Sequence, residues 1–366
     1  MPGKRRRPLH TSPFSATSDK TASEQVTMKK TIITTIITLT GMALYAQDTT
    51  KHADPPLVIS GSVDAYYKYD FSGHNNIPTS FATDQNSFSV GMIDIGLKKK
   101  VGKASFVGEM SFGPRSDQSI PVANNHIQNL FVSYDLTDKL NVTGGYMATF
   151  LGYEVTPPTG NFNYSTSYLF TNGPFQNSGV KFTYAFSDKV SLMAGVFNDL
   201  WNVYTSAKRV NTFGSQLMVV PVKGWTAYIN LLTGPASGTE IDLTTTYQIT
   251  DAFKLGVNAA DFSAPDSLKG GFEGIALYPQ LAVSPNVTLG LRGEYFKTKT
   301  GGYTPAGPAP GNSVTALTFT ANIKGGPLMF IPEVRLDNGS KTIFTDNNGI
   351  ATKSASQFSL AAVYAF

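Results

Sequence analysis

From residue 57 to the carboxyl terminus, apolar side chains recur at every second position in short runs, with polar or charged residues between them. In the first run Ile59, Gly61, Val63, Ala65, Tyr67, Tyr69 and Phe71 share one side, while Ser60, Ser62, Asp64, Tyr66, Lys68 and Asp70 share the other. A period of two belongs to a β-strand, whose successive side chains point to opposite faces. The pattern returns at Leu130, Val132, Tyr134 and Leu136 against Asn129, Phe131, Ser133 and Asp135. It returns again at Ile241, Leu243, Thr245 and Tyr247 against Glu240, Asp242, Thr244 and Thr246, and at Val287, Leu289, Leu291, Gly293 and Tyr295 against Thr288, Arg292 and Glu294. The second strand and the surroundings of Pro279 fit the alternation least well, and a bulge is expected at Pro279.

The connections between runs are short and long in strict turn. The short ones are Val101-Gly102-Lys103, Thr137-Asp138-Lys139, Ser187-Asp188-Lys189, Val222-Lys223-Gly224, Thr250-Asp251-Ala252, Ser284-Pro285-Asn286 and Gly325-Gly326-Pro327, all with turn chemistry. Between them lie eight longer Gly-, Pro- and Asn-rich stretches, near 72–86, 114–126, 152–178, 198–211, 233–239, 262–270, 298–312 and 337–353. Seven turns and eight loops join sixteen strands. A soluble sandwich has no reason to put every long connection at one end, whereas an up-and-down transmembrane β-barrel keeps its periplasmic turns tight and lets its outward loops grow. The expected fold is therefore an all-β, antiparallel, outer-membrane barrel of about 16 strands with both termini on the periplasmic side.

Met28-Lys29-Lys30, the apolar run Thr31 to Leu44 and Tyr45-Ala46 before Gln47 read as a signal peptide over 28–46. Residues 47–56 are then a periplasmic leader and 57–366 the barrel, while 1–27 read as an over-extended reading frame or a disordered arm. Of 29 Lys and Arg and 25 Asp and Glu, seven and two respectively lie before Gln47, so the exported part is near neutral. The basic arm at Lys4 to Arg7 therefore does not indicate a nucleic-acid partner. The absence of cysteine removes any disulfide framework and thiolate metal site. About twenty residues per strand with its connection leave no surplus for a separate plug domain.

Aromatics gather near strand ends, as at Tyr67, Tyr69, Phe71, Tyr134, Tyr146, Phe150, Tyr247, Tyr295 and Tyr364, where amphipathic rings suit the two membrane interfaces. The last run, Phe358, Leu360, Ala362, Tyr364 and Phe366, is apolar at alternate positions and ends on phenylalanine. It resembles the carboxyl-terminal signal read by the barrel-insertion machinery. Two stretches, Ile59 to Tyr67 (ISGSVDAYY) and Asn163 to Phe175 (NYSTSYLFTNGPF), resemble the OmpL-like β-barrel porin-2 family of Bacteroidetes-type bacteria. That resemblance implies an outer-membrane porin without an assigned solute and brings no catalytic residues. Gln176-Asn177 stand where a more histidine-like continuation is expected in relatives.

A charge on the lipid face at the midplane costs about 2–4 kcal/mol for Arg or Lys, so charged strand residues are expected to face the lumen. The expected pore-lining set is Asp64, Lys68, Asp94, Lys98, Glu109, Asp242, Lys254, Arg292, Glu294, Glu333 and Arg335. Its mixed signs can set a transverse field, predicting weak ion selectivity, or pair across strands and stiffen the wall. In sixteen-stranded porins the third loop narrows the barrel, and the longest loop here, Gly152 to Ser178, is third in order. Tyr153, Phe162, Tyr164, Tyr168, Phe170 and Phe175 are expected to pack it on the wall, with Glu154, Asn161 and Asn163 toward the passage; a lid over the mouth is the other arrangement. After the signal only His52, His74 and His126 remain, in the leader and in different loops or their margins. They compose no triad, acid-base pair or metal set, and Gly301-Gly302 lack the context of a phosphate loop. The expected function is passive, weakly selective diffusion of small hydrophilic solutes by a channel without enzyme activity or cofactor, monomeric or oligomeric in outer-membrane lipid. A non-conducting barrel with an adhesive or structural role is the alternative.

Overall fold

The computed structural model describes residues 55–120, 126–199, 204–206 and 209–366. The proposed signal peptide, the residues before it and the leader up to residue 54 lie outside the described residues, as do 121–125 in the second loop and 200–203 and 207–208 in the fourth.

Sixteen strands close into one antiparallel barrel. They are β1 (Val58–Asp70), β2 (Ser87–Val101), β3 (Ala104–Phe112), β4 (Ile127–Asp135), β5 (Leu140–Ala148), β6 (Gln176–Ser187), β7 (Val190–Asn198) and β8 (Val210–Val219). There follow β9 (Trp225–Gly234), β10 (Gly238–Gln248), β11 (Phe253–Ser263), β12 (Gly271–Ser284), β13 (Val287–Lys299), β14 (Ser313–Gly325), β15 (Leu328–Gly339) and, last, β18 (Ser354–Ala365). The short pair β16 (Phe344–Thr345) and β17 (Ala351–Thr352) forms a hairpin within the eighth loop. Each barrel strand pairs with its sequence neighbour, and β18 closes the ring on β1, from Ser62↔Ala365 to Asp70↔Gln357. Closure leaves no sheet edge, which is what allows strands to cross a membrane with their backbone polar groups satisfied.

The two faces separate as the alternation requires. Outward residues such as Val132, Ile229 and Phe319 are exposed, whereas Arg292 and Arg335 are fully buried. On β18, Leu360, Tyr364 and Phe366 lie on the exposed side with Phe358 half-buried, while Ser359, Ala361 and Val363 are buried. Tyr146 departs from the expected aromatic belt. It pairs with the exposed Leu130 but is buried, with its ring edge-on to Tyr204 of the fourth loop at 4.4 Å, so that loop covers it.

The difficult second strand carries a bulge, where the β1–β2 register shifts between Val63 and Ala65. Phe88 and Val90 are exposed before it, and Ile93, Ile95 and Leu97 after it, so the outward phase moves by one residue. The carboxylate of Asp64 receives the N–H of Met92 at 2.8 Å, giving the bulged backbone a partner the ladder does not supply. No register shift occurs at Pro279, contrary to the expected bulge. Pro279 pairs with Leu255 of β11, and the β12–β13 ladder resumes from Leu277↔Gly293 to Gln280↔Gly290 in the same register. Proline lacks an N–H, so the sheet gives up local pairing there and keeps its phase.

Candidate functional site

The chain between β5 and β6, residues 149–175, is bound to the polar face of the barrel wall by groups that the sequence places far away. It contains a short helix, Tyr168–Asn172, capped by the Ser167 hydroxyl, which accepts the N–H of Phe170 at 3.0 Å. The next unpaired donors of that helix start, the N–H groups of Tyr168 and Leu169, reach the Glu294 carboxylate of β13 at 3.0 and 2.9 Å. A helix amino terminus has no intrahelical acceptors for its first N–H groups, and an anion there satisfies both their hydrogen bonding and their dipole. Glu333 of β15 does the same for Tyr164 and Ser165, at 3.1 and 3.2 Å, while also receiving the Thr320 hydroxyl at 2.9 Å. Asp242 of β10 accepts the N–H of Gly152 at 3.0 Å.

The arginines hold the carbonyls of the same segment. Arg292 donates to Ser165 O at 2.5 Å and Thr166 O at 3.3 Å, and pairs with Glu154 at 2.8 Å. Arg335 donates to Thr166 O at 2.8 Å and forms a two-pronged pair with Asp337, at 2.8 and 3.0 Å. Glu154, expected to face the passage, is thus buried against the wall and also receives the N–H and hydroxyl of Ser167. Asn163 is buried as well and donates to Thr320 at 2.7 Å, whereas Asn161 is half-buried and closes a local loop with both backbone groups of Val155. Leaving Arg292 or Glu154 without the other in this dry setting is costly, which explains why the carboxylate turns inward.

Aromatic side chains finish the seating. Tyr153 stacks on Tyr278 of β12 at 4.4 Å, and Tyr168 on Phe296 of β13 at 5.6 Å. Gly256 and Gly290 leave room for Tyr153 and Phe162, whose ring atoms occupy the space a β-carbon there needs. The Tyr164 hydroxyl donates to Asp64 at 2.5 Å and that of Tyr168 to Asp337 at 2.8 Å. Burial pushes both phenols well above their ordinary range, so they stay protonated donors.

The first loop, 71–86, joins this packing. Lys68 donates to Asn75 at 2.6 Å and to Thr83 O at 3.1 Å, Arg335 reaches Thr79, and Phe81 packs on Phe170 and Phe175. Arg115 was not among the residues expected from sequence. It lies between the rings of Phe81 and Tyr164, 4.6 and 5.2 Å from their centroids, and its Nε donates to Thr156 O at 2.8 Å. Nothing in a short polar loop flags such a role, because both rings come from other loops.

The expected charged set therefore splits. Asp64, Lys68, Asp242, Arg292, Glu294, Glu333 and Arg335 are engaged with the first and third loops or with the bulge. Asp94 bonds to Ser62 and Glu109 to Asn129, and Lys98 is exposed. Lys254 instead lines a cavity of about 650 Å³ between the third loop and the wall of β6 to β12. Thr149, Phe150, Gly152, Tyr153, Gly160 and Phe162 bound it on the loop side. Lys181, Gln216, Tyr228, Thr244, Lys254 and Gln280 are among its wall residues. Lys181 was missed, yet Val180, Phe182, Tyr184 and Phe186 are exposed on the opposite face and leave it pointing inward. Among the described residues no group of three or more His, Cys, Asp or Glu is arranged to hold a metal. His126 stacks on Phe112 at 4.5 Å.

Comparison with known proteins agrees with this architecture. The outer membrane channel DcaP of Acinetobacter baumannii superposes with a TM-score of 0.60 at 13% identity, covering 86% of this chain and 99% of that one. OprB of Pseudomonas putida gives 0.58 at 11% identity, with 85% and 94% covered. The anion-selective porin from Comamonas acidovorans gives 0.57 at 12%, with 85% and 99% covered. At such identities the likeness concerns the fold alone. No curated protein sequence matches. Residues 56–366 match the family described as "Putative beta-barrel porin-2, OmpL-like", and with its closed sixteen-stranded barrel the chain belongs to that family of outer-membrane porins.

Proposed function

We propose that the protein is a passive diffusion channel for small hydrophilic solutes, narrowed by residues 149–175 and open along the wall of β6 to β12. The observation that carries this reading is the polar cavity of about 650 Å³ beside the seated loop. About sixteen strands suffice for an aqueous lumen, where about eight are filled by side chains. The inward charges of the loop-bearing wall are taken up by hydrogen bonds and ion pairs, which supports weak selectivity over a dedicated charge filter. In the same reading, 28–46 direct export and Phe358, Leu360, Tyr364 and Phe366 present the last strand to the insertion machinery.

The test is single-channel recording of the full chain, expressed in a bacterial outer membrane and extracted folded in detergent, in planar bilayers. Discrete ohmic steps that shrink in Thr244→Trp, a mid-strand wall residue of the cavity, are expected. A folded, inserted barrel that never conducts would refute diffusion and turn attention to what the outer loops bind.

A further inference from the structure

The cavity beside the third loop has a sign. Its lining includes two cationic side chains, Lys181 of β6 and Lys254 of β11, and no carboxylate. Both lysines lie on the polar face. Lys181 is opposite Thr143 and Gly195, and Lys254 is opposite Gln248 and Gln280. Among the described residues neither engages in an ion pair or a hydrogen bond, although both are half-buried at the passage.

The wall carboxylates are committed elsewhere or, like the buried Glu240 of β10, lie outside the cavity's lining. Asp242, the wall acid of β10, accepts from Gly152, Asn230 and Asn258 and is 1% exposed. Glu154 is held by Arg292, and Glu294 and Glu333 by loop N–H groups. Asp94 and Glu109 belong to β2 and β3, outside the cavity's lining, and bond to Ser62 and Asn129. The remaining polar lining is neutral: Gln216, Gln280, Tyr228 and threonines of β9 and β10.

We infer that Lys181 and Lys254 form a cationic track along the open wall that favours small anions, such as chloride and low-molecular-weight carboxylates, over cations. This inference rests on the reading of the protein as a diffusion porin and names its solute class. Two free charges on the wall of an open passage bias ions without binding them tightly, so the preference is modest and falls with salt.

The decisive experiment is the reversal potential of single channels of the full chain under a potassium chloride gradient at low ionic strength. Chloride is expected to exceed potassium in permeability by roughly threefold, from two lysines acting across water at a few ångströms to a nanometre. In Lys181→Gln with Lys254→Gln the ratio should fall to near one or below with the steps retained, and in Lys181→Arg with Lys254→Arg it should stay. Gln216→Glu with Gln280→Glu, which leaves both lysines in place and sets carboxylates in the same lining, should also lower the ratio. Discrete steps with equal permeabilities or a cation preference in the wild type, or a chloride preference untouched by the lysine-to-glutamine change, would overturn the inference while leaving the porin reading intact. Absence of steps from folded barrels would remove the porin reading and the inference together.

Discussion

The two halves of the barrel wall use the same strand alphabet to opposite ends. On β12 to β15, β18 and β1, inward charges are buried and spoken for: Glu294 and Glu333 receive loop N–H groups, Arg292 and Arg335 hold loop carbonyls, and Asp64 takes the Tyr164 hydroxyl. On β6 to β11, apart from the buried Glu240 and Asp242 of β10, the inward residues lining the cavity are neutral except for two lysines that face open space. The first half is an anchor for the third loop and the second is the proposed passage. The contrast teaches that inward polarity in a barrel is not by itself pore chemistry, because a charge can be consumed in holding a loop.

The largest effect is expected from unbalancing the anchor. Arg292→Met strips Glu154 of its buried partner and frees the Ser165 carbonyl, leaving Thr166 O to Arg335 alone, and breaking a buried pair this way costs about 3–5 kcal/mol. Step amplitudes should become larger and noisier, and limited proteolysis should cut within 149–175, while the barrel itself still runs as a folded, heat-modifiable species. Quiet, unchanged channels would show that the pair does not seat the loop.

A smaller effect is expected at the ring contacts. Tyr164→Phe removes one charge-assisted hydrogen bond to Asp64, worth about 1.5–3 kcal/mol. It should raise open-channel noise without changing the ion preference; a shift in selectivity with unchanged noise would show that Tyr164 acts on the ion path and not on loop seating. Gly290→Val works in the other sense. A side chain there displaces Phe162 from the wall, so the loop should lean into the cavity and the steps should shrink. The smallest effect is expected at the rim: Lys299→Ala breaks an exposed pair with Asp261, and conductance, selectivity and thermal stability should stay at wild-type values, since such pairs contribute little.

Much of this comparison was legible in the sequence and some of it could not be. Alternation and turn chemistry placed the seven turns, the eight loops and the closing strand, because lipid on one side and water or polar contacts on the other impose a strict period of two. The bulge by Asp64 and the unbroken phase through Pro279 were beyond reach, since both depend on which neighbour a backbone N–H faces. Glu154 turned toward the wall because Arg292, 138 residues later, needs an acid there; no local pattern carries that pairing. Lys181, by contrast, stood in plain view between Val180 and Phe182.

The chain has no cysteine, which makes it suited to the most direct test of the division between the two walls. Thr246→Cys, on the open wall, and Thr320→Cys, hydrogen-bonded between Asn163 and Glu333 on the covered one, can each be exposed to a small water-soluble thiol reagent during single-channel recording. Rapid partial block at position 246 and protection at position 320 is the predicted result. Block at 320 with 246 unreactive would place the passage on the wrong side of the loop and contradict the account.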